Sequence, residues 1–316
     1  MKKMKNRWLS WPGAKFRQMD EIFKYISLDN TEINHICEPY SGAAAFSLQF
    51  FDKDFYFSWA EKNEPLNRWW SFLLYEPETF IERMDYFRKK YINSSENRDV
   101  YNEMRDSYNS MIKSMPEHMD TSALLWVLIY HSTNNLARFN KKGEYNQTWG
   151  KGRKVPDPYV VFNEQVINDI YNSNAYVEMF NDDVDLFEHF LNADKISYKY
   201  NMFLYSTIFY LDPPYILRTE VYDKDWSLES EKTMFKYIHE LDDLNTPWFM
   251  TNYLAVEKNG EKTEHPFIDD IKKSGWTIIQ INRKIDARPT TSGDIAGEYI
   301  IVGKNKIILK DKSNNI

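Results

Sequence analysis

Asp212-Pro213-Pro214-Tyr215 is the stretch of this chain whose residue types and order could do chemistry. It follows Thr207-Ile208-Phe209-Tyr210-Leu211, a β-branched and aromatic run that predicts a buried strand. Two prolines cannot continue a strand ladder, so the strand should end at Asp212. A carboxylate and an aromatic ring then stand at the carboxyl end of a strand, where open α/β sheets bind ligands. Proline has no N–H, so the turn is stiff and its carbonyls meet no competing donor beside them. The carboxylate and a fixed carbonyl can both accept from one exocyclic NH2 group while the Tyr215 ring stacks on the flat base that carries it. Such an amine is a poor nucleophile, because its lone pair is delocalised into the ring. Two acceptors on its hydrogens would localise the lone pair for attack. The plain alternative is an ordinary strand-to-loop turn, since short motifs recur by chance.

A second set of residues lies earlier, in Glu38-Pro39-Tyr40-Ser41-Gly42-Ala43-Ala44. It follows a predicted strand at residues 33–39 and opens into a predicted helix. Small side chains there let a ligand approach the backbone, and a helix behind them presents free N–H groups. The next predicted strand, 55–59, leads to Glu61, at a position where an acid commonly grips ribose hydroxyls in dinucleotide folds. Together these suggest a nucleoside-bearing cofactor. Helix-to-sheet packing explains the small residues equally well. No Gly-Lys-Ser/Thr follows, so this is not a P-loop.

The elements that must position these residues alternate between strand and helix at both ends of the chain. A Trp11-Pro12-Gly13-Ala14-Lys15 turn precedes an amphipathic helix to about residue 25. After the middle of the chain come a strand at 176–180 with Asp182 and Asp183 at its end, the strand feeding Asp212, a helix over 228–242, and a strand at 248–252. A helix at 266–273, strands at 276–283 and 298–302, and a final strand at 306–309 complete the pattern. Between them, helical spacing at 77–91, 96–115 and 121–132 and a polar, turn-rich patch at 134–158 break the alternation. The reading is an α/β chain in which 1–75 and 174–316 form one domain and 76–173 an inserted second one.

With 47 acidic and 40 basic residues and a net charge of −7, the chain is not a uniformly basic DNA-coating protein, although a local basic face remains open. Its single cysteine, Cys37, excludes a disulfide and a cysteine-rich metal site, and a small buried core residue is the expected role. The six histidines lack metal spacing, so neither a metal nor a histidine base is assigned. No apolar run is long enough to cross a bilayer and no signal peptide is found, so no membrane partner and a cytoplasmic location, in a bacterial or virus-infected cell, are expected.

The order of these segments carries a resemblance. The middle region contains Asn135-Leu136-Ala137-Arg138-Phe139-Asn140-Lys141-Lys142-Gly143-Glu144-Tyr145-Asn146. With the Trp-Pro-Gly-Ala-Lys turn, Glu-Pro-Tyr-Ser-Gly and Asp-Pro-Pro-Tyr, it strongly resembles the Dam-type (D12 class, α-group) DNA adenine-N6 methyltransferases. Those carry W-x-G-G-K, E-P-F-x-G-x-G, an N-G-L-x-R-x-N-x-x-G-x-F-N hairpin and D-P-P-Y in that order. The resemblance implies a Rossmann-like S-adenosylmethionine-dependent methyltransferase sheet and an inserted, mainly helical DNA-recognition domain carrying a β-hairpin. It implies methyl transfer from S-adenosylmethionine to N6 of adenine in a specific duplex sequence, GATC being the family's commonest target, as in restriction-modification. Trp11, Gly13 and Lys15 would lie at the cofactor or its edge. Glu38, Tyr40, Gly42, Ala44 and Phe46 would line its methionine and sugar side, Glu61 would reach the ribose hydroxyls, and Asp182 would face its adenine, with Asp183 the competitor. Asp212 and the Pro213 carbonyl, stiffened by Pro214, would hold the target amine, and Tyr215 would stack on the target base.

The target atom sits inside the duplex, so the adenine must be flipped out, at a cost of a few kcal/mol. Phe139 is the candidate wedge, with hairpin packing the bland alternative, and Asn140 would face the orphaned base. Arg138, Lys141, Lys142, Asn146 and Arg153, with Lys151 and Lys154, would meet double-stranded DNA. Arg283, Lys284 and Arg288 flank a late loop that could close on the backbone. A monomer is expected, a dimer on DNA being the alternative. Two family glycines are Ala14 and Ala44 here, which keeps a second reading open: a DNA-binding protein of the same fold with a degenerate cofactor pocket.

Overall fold

The structure, a computed structural model, describes residues 8–174, 177–193, 206–218, 226–258, 261–281 and 296–310. Its strands are β1 (His35–Glu38), β2 (Tyr56–Ala60), β3 (Val177–Phe180), β4 (Thr207–Leu211), β5 (Trp248–Lys258), β6 (Glu261–Glu264), β7 (Thr277–Ile281) and β8 (Ala296–Val302). The chain divides into two compact units. One, mainly helical, takes residues 1–14, 42–54 and 61–181; the other, built on a sheet, takes 15–41, 55–60 and 182–316. The helical unit is wider than the 76–173 span, because the helix Glu64–Tyr75 and the loop after Gly42 pack with it.

In the sheet unit the strand order is β2-β1-β4-β5-β8-β7, with β6 paired to β5. The first four are parallel, with Cys37 opposite both Ser58 and Phe209, and Leu211 opposite Met250. β8 and β7 add antiparallel. The chain winds outward from β1 to β2 on one side and from β4 to β5 on the other. The order therefore reverses between β1 and β4, where crevices at strand carboxyl ends bind ligands. β1 and β4 are buried throughout, as expected of central parallel strands covered on both faces. Phe209 stacks on Phe187, which stacks on Tyr237, so the helices Asp183–Ala193 and Leu228–Asp243 cover one face. The next residue, Tyr210, points the other way and stacks on Phe249 at 4.6 Å. Buried Asp242 ties the far end of the sheet, accepting from the indole N–H of Trp248 and of Trp276 and from the backbone of Lys304.

The helical unit is centred on the helix Met119–His131, which is buried on nearly every side. Around it pack Pro77–Lys90, Arg98–Ser114 and Glu64–Tyr75, with Trp8, Trp69, Trp70, Phe80, Trp126 and Phe162 in one aromatic cluster. Asn63 and Asn97 cap two of these helices through their side-chain oxygens.

Four local expectations are corrected. The helix predicted up to residue 25 is only Met19–Ile22, flanked by turns. The helix expected behind Gly42 is a run of turns ending in the 3-10 helix Ser47–Gln49, because Ala44 adopts a φ of 48° that no α-helix tolerates. β5 runs to Lys258 and pairs with β6, whose four exposed polar residues gave no apolar signal. The last strand is a single bridge, Ile26 to Leu309. Arg283, Lys284 and Arg288 lie outside the described residues. No described helix is long and apolar enough to cross a membrane, and no described group of three or more His, Cys, Asp or Glu could hold a metal ion.

Candidate active site

Parallel register sets the site in the sheet unit. Since Cys37 lies beside Phe209, Glu38 and Asp212 fall at the same carboxyl end, on either side of the point where the strand order reverses. Glu38 is buried at 2% exposure and Asp212 is half-buried just beyond β4. Lys15 holds Asp212 with Nζ 2.7 Å from Oδ1 and 2.8 Å from Oδ2. Burial disfavours the Lys15 charge, but Asp212 and then Glu298 overcome this, and its pKa is raised. The Thr251 hydroxyl donates to Asp212 Oδ1 at 2.9 Å. The Tyr215 hydroxyl lies 3.0 Å from the same oxygen and 2.6 Å from Glu298 Oε1, while Lys15 sits 4.8 Å over the Tyr215 ring. Gln18 Nε2 donates to Glu298 Oε2 at 2.5 Å. Pro213 is buried and Pro214 half-buried between Asp212 and Tyr215. Thus Lys15, Asp212, Pro213, Pro214 and Tyr215 come together in this unit, and the cluster of Lys15, Asp212 and Glu298 carries a formal net charge of −1.

A second cluster forms around Tyr40. Its hydroxyl donates to Asp183 Oδ2 at 2.9 Å and its ring meets Trp226 edge-on at 5.4 Å. Asp182 caps the following helix, its Oδ1 accepting from Val184 N. Asp183 is the member that faces Tyr40; burial, and then the neighbouring Asp182, push its carboxyl up to about 7. Trp226 Nε1 donates to Glu231, and Glu231 pairs with His265 at 2.9 Å, both side chains fully buried.

In the helical unit, Trp11 to Ala14 form a turn with Ala14 N donating to Trp11 O and Gly13 at φ 80°. That is a type II turn with proline and glycine where each is favoured. Ala14 occupies its last position, where no left-handed backbone is needed. Gly42, at φ 49°, is gripped by the Trp70 indole on its carbonyl at 2.8 Å and by Glu61 Oε2 on its N–H at 3.1 Å. Glu61 Oε1 also accepts from Asn63 N at 2.7 Å. Ala44 and Phe46 are fully buried, Phe46 lying against Phe50, so they build the loop from beneath.

The same unit forms the expected hairpin. Phe139 and Tyr145 bridge, Asn146 N donates to Arg138 O, and Asn140 N donates to Glu144 O. Asn140 Oδ1 closes the turn by accepting from Lys142 N and Glu144 N, and Gly143 takes a φ of 74°. Asn109 pins Tyr145 through both backbone groups. Arg138 is exposed and lies along Asn146; Lys141 and Lys142 are exposed at the tip. Phe139 is half-buried against Tyr108 and Tyr145. Arg153 donates to Asn135 Oδ1 at 2.8 Å, and Asn135 holds a left-handed φ of 51°.

Sequence reasoning missed Gln18, Thr251 and Glu298 around Asp212, and the Trp226–Glu231–His265 chain. Glu298 had a usable signal, a lone acid opening the apolar run Tyr299 to Val302. Gln18 and Thr251 had none.

The chain is 25% identical over 213 residues to modification methylase LlaI of Lactococcus lactis, covering 65% of this chain and 30% of that protein. It is 22% identical over 263 residues to modification methylase StsI of Streptococcus sanguinis, covering 81% and 36%. It is 26% identical over 153 residues to a DNA adenine methylase of Vibrio cholerae, covering 48% and 50%. The chain thus spans about a third to a half of the length of these relatives. The family model described as D12 class N6 adenine-specific DNA methyltransferase matches residues 11–286, most of the chain, and the protein belongs to that family.

Proposed function

We propose that this protein transfers a methyl group from S-adenosylmethionine to N6 of adenine in a specific duplex DNA sequence, after flipping the adenine out of the helix. The observation that carries the reading is Asp212, fixed by Lys15 and Thr251 at the carboxyl end of β4, beside the reversal of strand order. The residues present fit the cofactor. A buried acidic cluster of net charge −1 suits a sulfonium cation, and Glu38, Tyr40 and the Asp182–Asp183 pair offer acceptors and a ring at the same end of the sheet. The assignments of Trp11, Gly13, Gly42, Ala44, Phe46 and Glu61 to the cofactor rest on motif position.

S-adenosylmethionine, when bound, supplies an electrophilic methyl group on sulfur. The protein's part is to raise the nucleophilicity of the amine. Asp212 and the Pro213 carbonyl would accept its two hydrogens and localise the nitrogen lone pair, while Tyr215 stacks on the base. The amine, having taken up the methyl group, would release one of its protons to solvent. On the DNA side, Lys141 and Lys142 would meet phosphates, Arg138 and Asn146 a phosphate or base edge, and Asn140 the orphaned base, with Phe139 as wedge.

The reading is tested by incubating the protein with duplex DNA and methyl-labelled S-adenosylmethionine, then identifying the modified nucleoside by mass spectrometry. N6-methyladenine is expected; N4-methylcytosine or no label rejects it. Mapping modified positions on a plasmid gives the sequence, GATC being the first to examine. The alternative, a DNA binder with a degenerate pocket, keeps one motivation: Ala44 holds a left-handed backbone with a buried methyl group. Calorimetry with S-adenosylmethionine separates the two, since a degenerate pocket gives no heat.

A further inference from the structure

We propose that Glu298 is a positioning residue that keeps Asp212 an acceptor by taking the proton of Tyr215; this rests on the function proposed above. The Tyr215 hydroxyl has one proton and two carboxylates within reach, Glu298 Oε1 at 2.6 Å and Asp212 Oδ1 at 3.0 Å. The shorter contact takes the proton. Each carboxylate oxygen can accept about two hydrogen bonds. Asp212 Oδ1 already receives Thr251 at 2.9 Å and Lys15 at 2.7 Å, while Oδ2 receives Lys15 at 2.8 Å. With the tyrosine proton on Glu298, Oδ1 is filled and Oδ2 keeps one lone pair for an incoming amino group. Without Glu298 the proton turns to Asp212, a third donor crowds Oδ1, and the carboxylate must turn or give up a partner.

Glu298 is itself held in place. It is 2% exposed, pairs in register with Tyr253 on β5 and Ile281 on β7, and receives Gln18 Nε2 on its second oxygen. It also lies 3.9 Å from Lys15, so it shares that charge without displacing Asp212 as the closer partner. A glutamine at this position can do the same work, because its carbonyl accepts the tyrosine proton. The Gln18 amide can flip to suit, since its Oε1 is buried without a partner.

The test is a set of four variants: E298A, E298Q, Y215F and the double Y215F/E298A. E298A should lower kcat about 10- to 100-fold with little change in KM for S-adenosylmethionine, and E298Q should recover most of that deficit. Because Glu298 acts through the Tyr215 hydroxyl, the double variant should be no slower than Y215F alone. The same cycle is run by urea unfolding of the cofactor-free protein, where the destabilisations should again fall short of additive. Additive effects in both cycles, or E298Q as slow as E298A, would overturn the proposal. If the wild-type protein transfers no methyl group to any DNA, the functional reading fails instead, and the unfolding cycle alone decides where the tyrosine proton lies.

Discussion

The turn after β4 and the hairpin at residues 138–146 are built on opposite plans. Asp212 sits among Lys15, Thr251, Tyr215 and Glu298, drawn from four parts of the chain and held in a buried network. The hairpin is closed by its own neighbours, chiefly Asn140 and Gly143, and its lysines stand in solvent. Charges in a buried network interact strongly and are costly to unpair, whereas exposed cations are screened and interchangeable. Substitutions should therefore be severe and specific at the first region, and graded and salt-dependent at the second.

The largest effect is expected for Asp212→Ala, which should reduce methyl transfer by more than about 100-fold while the heat of cofactor binding falls only modestly. Full turnover in that variant would erase the contrast between the regions. Phe139→Ala comes next. It removes the ring that packs tilted on Tyr108 and edge-on against Tyr145, and should reduce the 2-aminopurine fluorescence rise on DNA binding several-fold, with the fold intact. An unchanged rise would leave Phe139 as hairpin packing alone. For Lys141→Ala or Lys142→Ala, the slope of log affinity against log salt should become shallower by about 0.9 for each phosphate that is no longer neutralised, read by fluorescence anisotropy at several ionic strengths.

A smaller effect sharpens the buried side of the comparison. The folded protein holds the Asp183 proton to a pH of about 7, against a reference of 3.8. An acid whose pKa is raised by folding contributes its stability at low pH, and that contribution fades as pH rises through the folded value. The thermal midpoint should fall as pH rises from about 4 to about 7, and Asp183→Asn should flatten the fall while keeping a partner for Tyr40. A slope identical in both proteins would show that Asp183 does not titrate in this range. The smallest effect belongs to Ala44→Gly. A left-handed alanine costs about 1–2 kcal/mol, partly offset by the greater freedom of unfolded glycine. Scanning calorimetry should find a midpoint raised by about 2 °C. A lower midpoint would mean that the buried methyl group packs better than it strains.

The positions of most strands could be anticipated because continuous apolar strands such as β4 and punctuating prolines act locally. The hairpin was legible only through the family resemblance; the structure shows that Asn140 and Gly143 close its turn locally. Less of the loop after β1 was legible, because three alanines read as helix while the backbone at Ala44 is left-handed. β6 was invisible, since four polar residues pair only because β5 runs on beside them.

By itself the sequence determined which groups are chemically special: the Asp-Pro-Pro-Tyr turn, the small-residue loop, the basic hairpin and their order. These are set by local sterics and by the missing N–H of proline, which adjacent residues fully specify. Only the tertiary structure decided what surrounds Asp212. Lys15, Thr251 and Glu298 lie 197, 39 and 86 positions away along the chain, and no periodicity or propensity links them. The parallel register of β1, β4 and β5 and the antiparallel return of β8 bring them within hydrogen-bonding distance, and that is a property of sheet pairing, not of any segment alone.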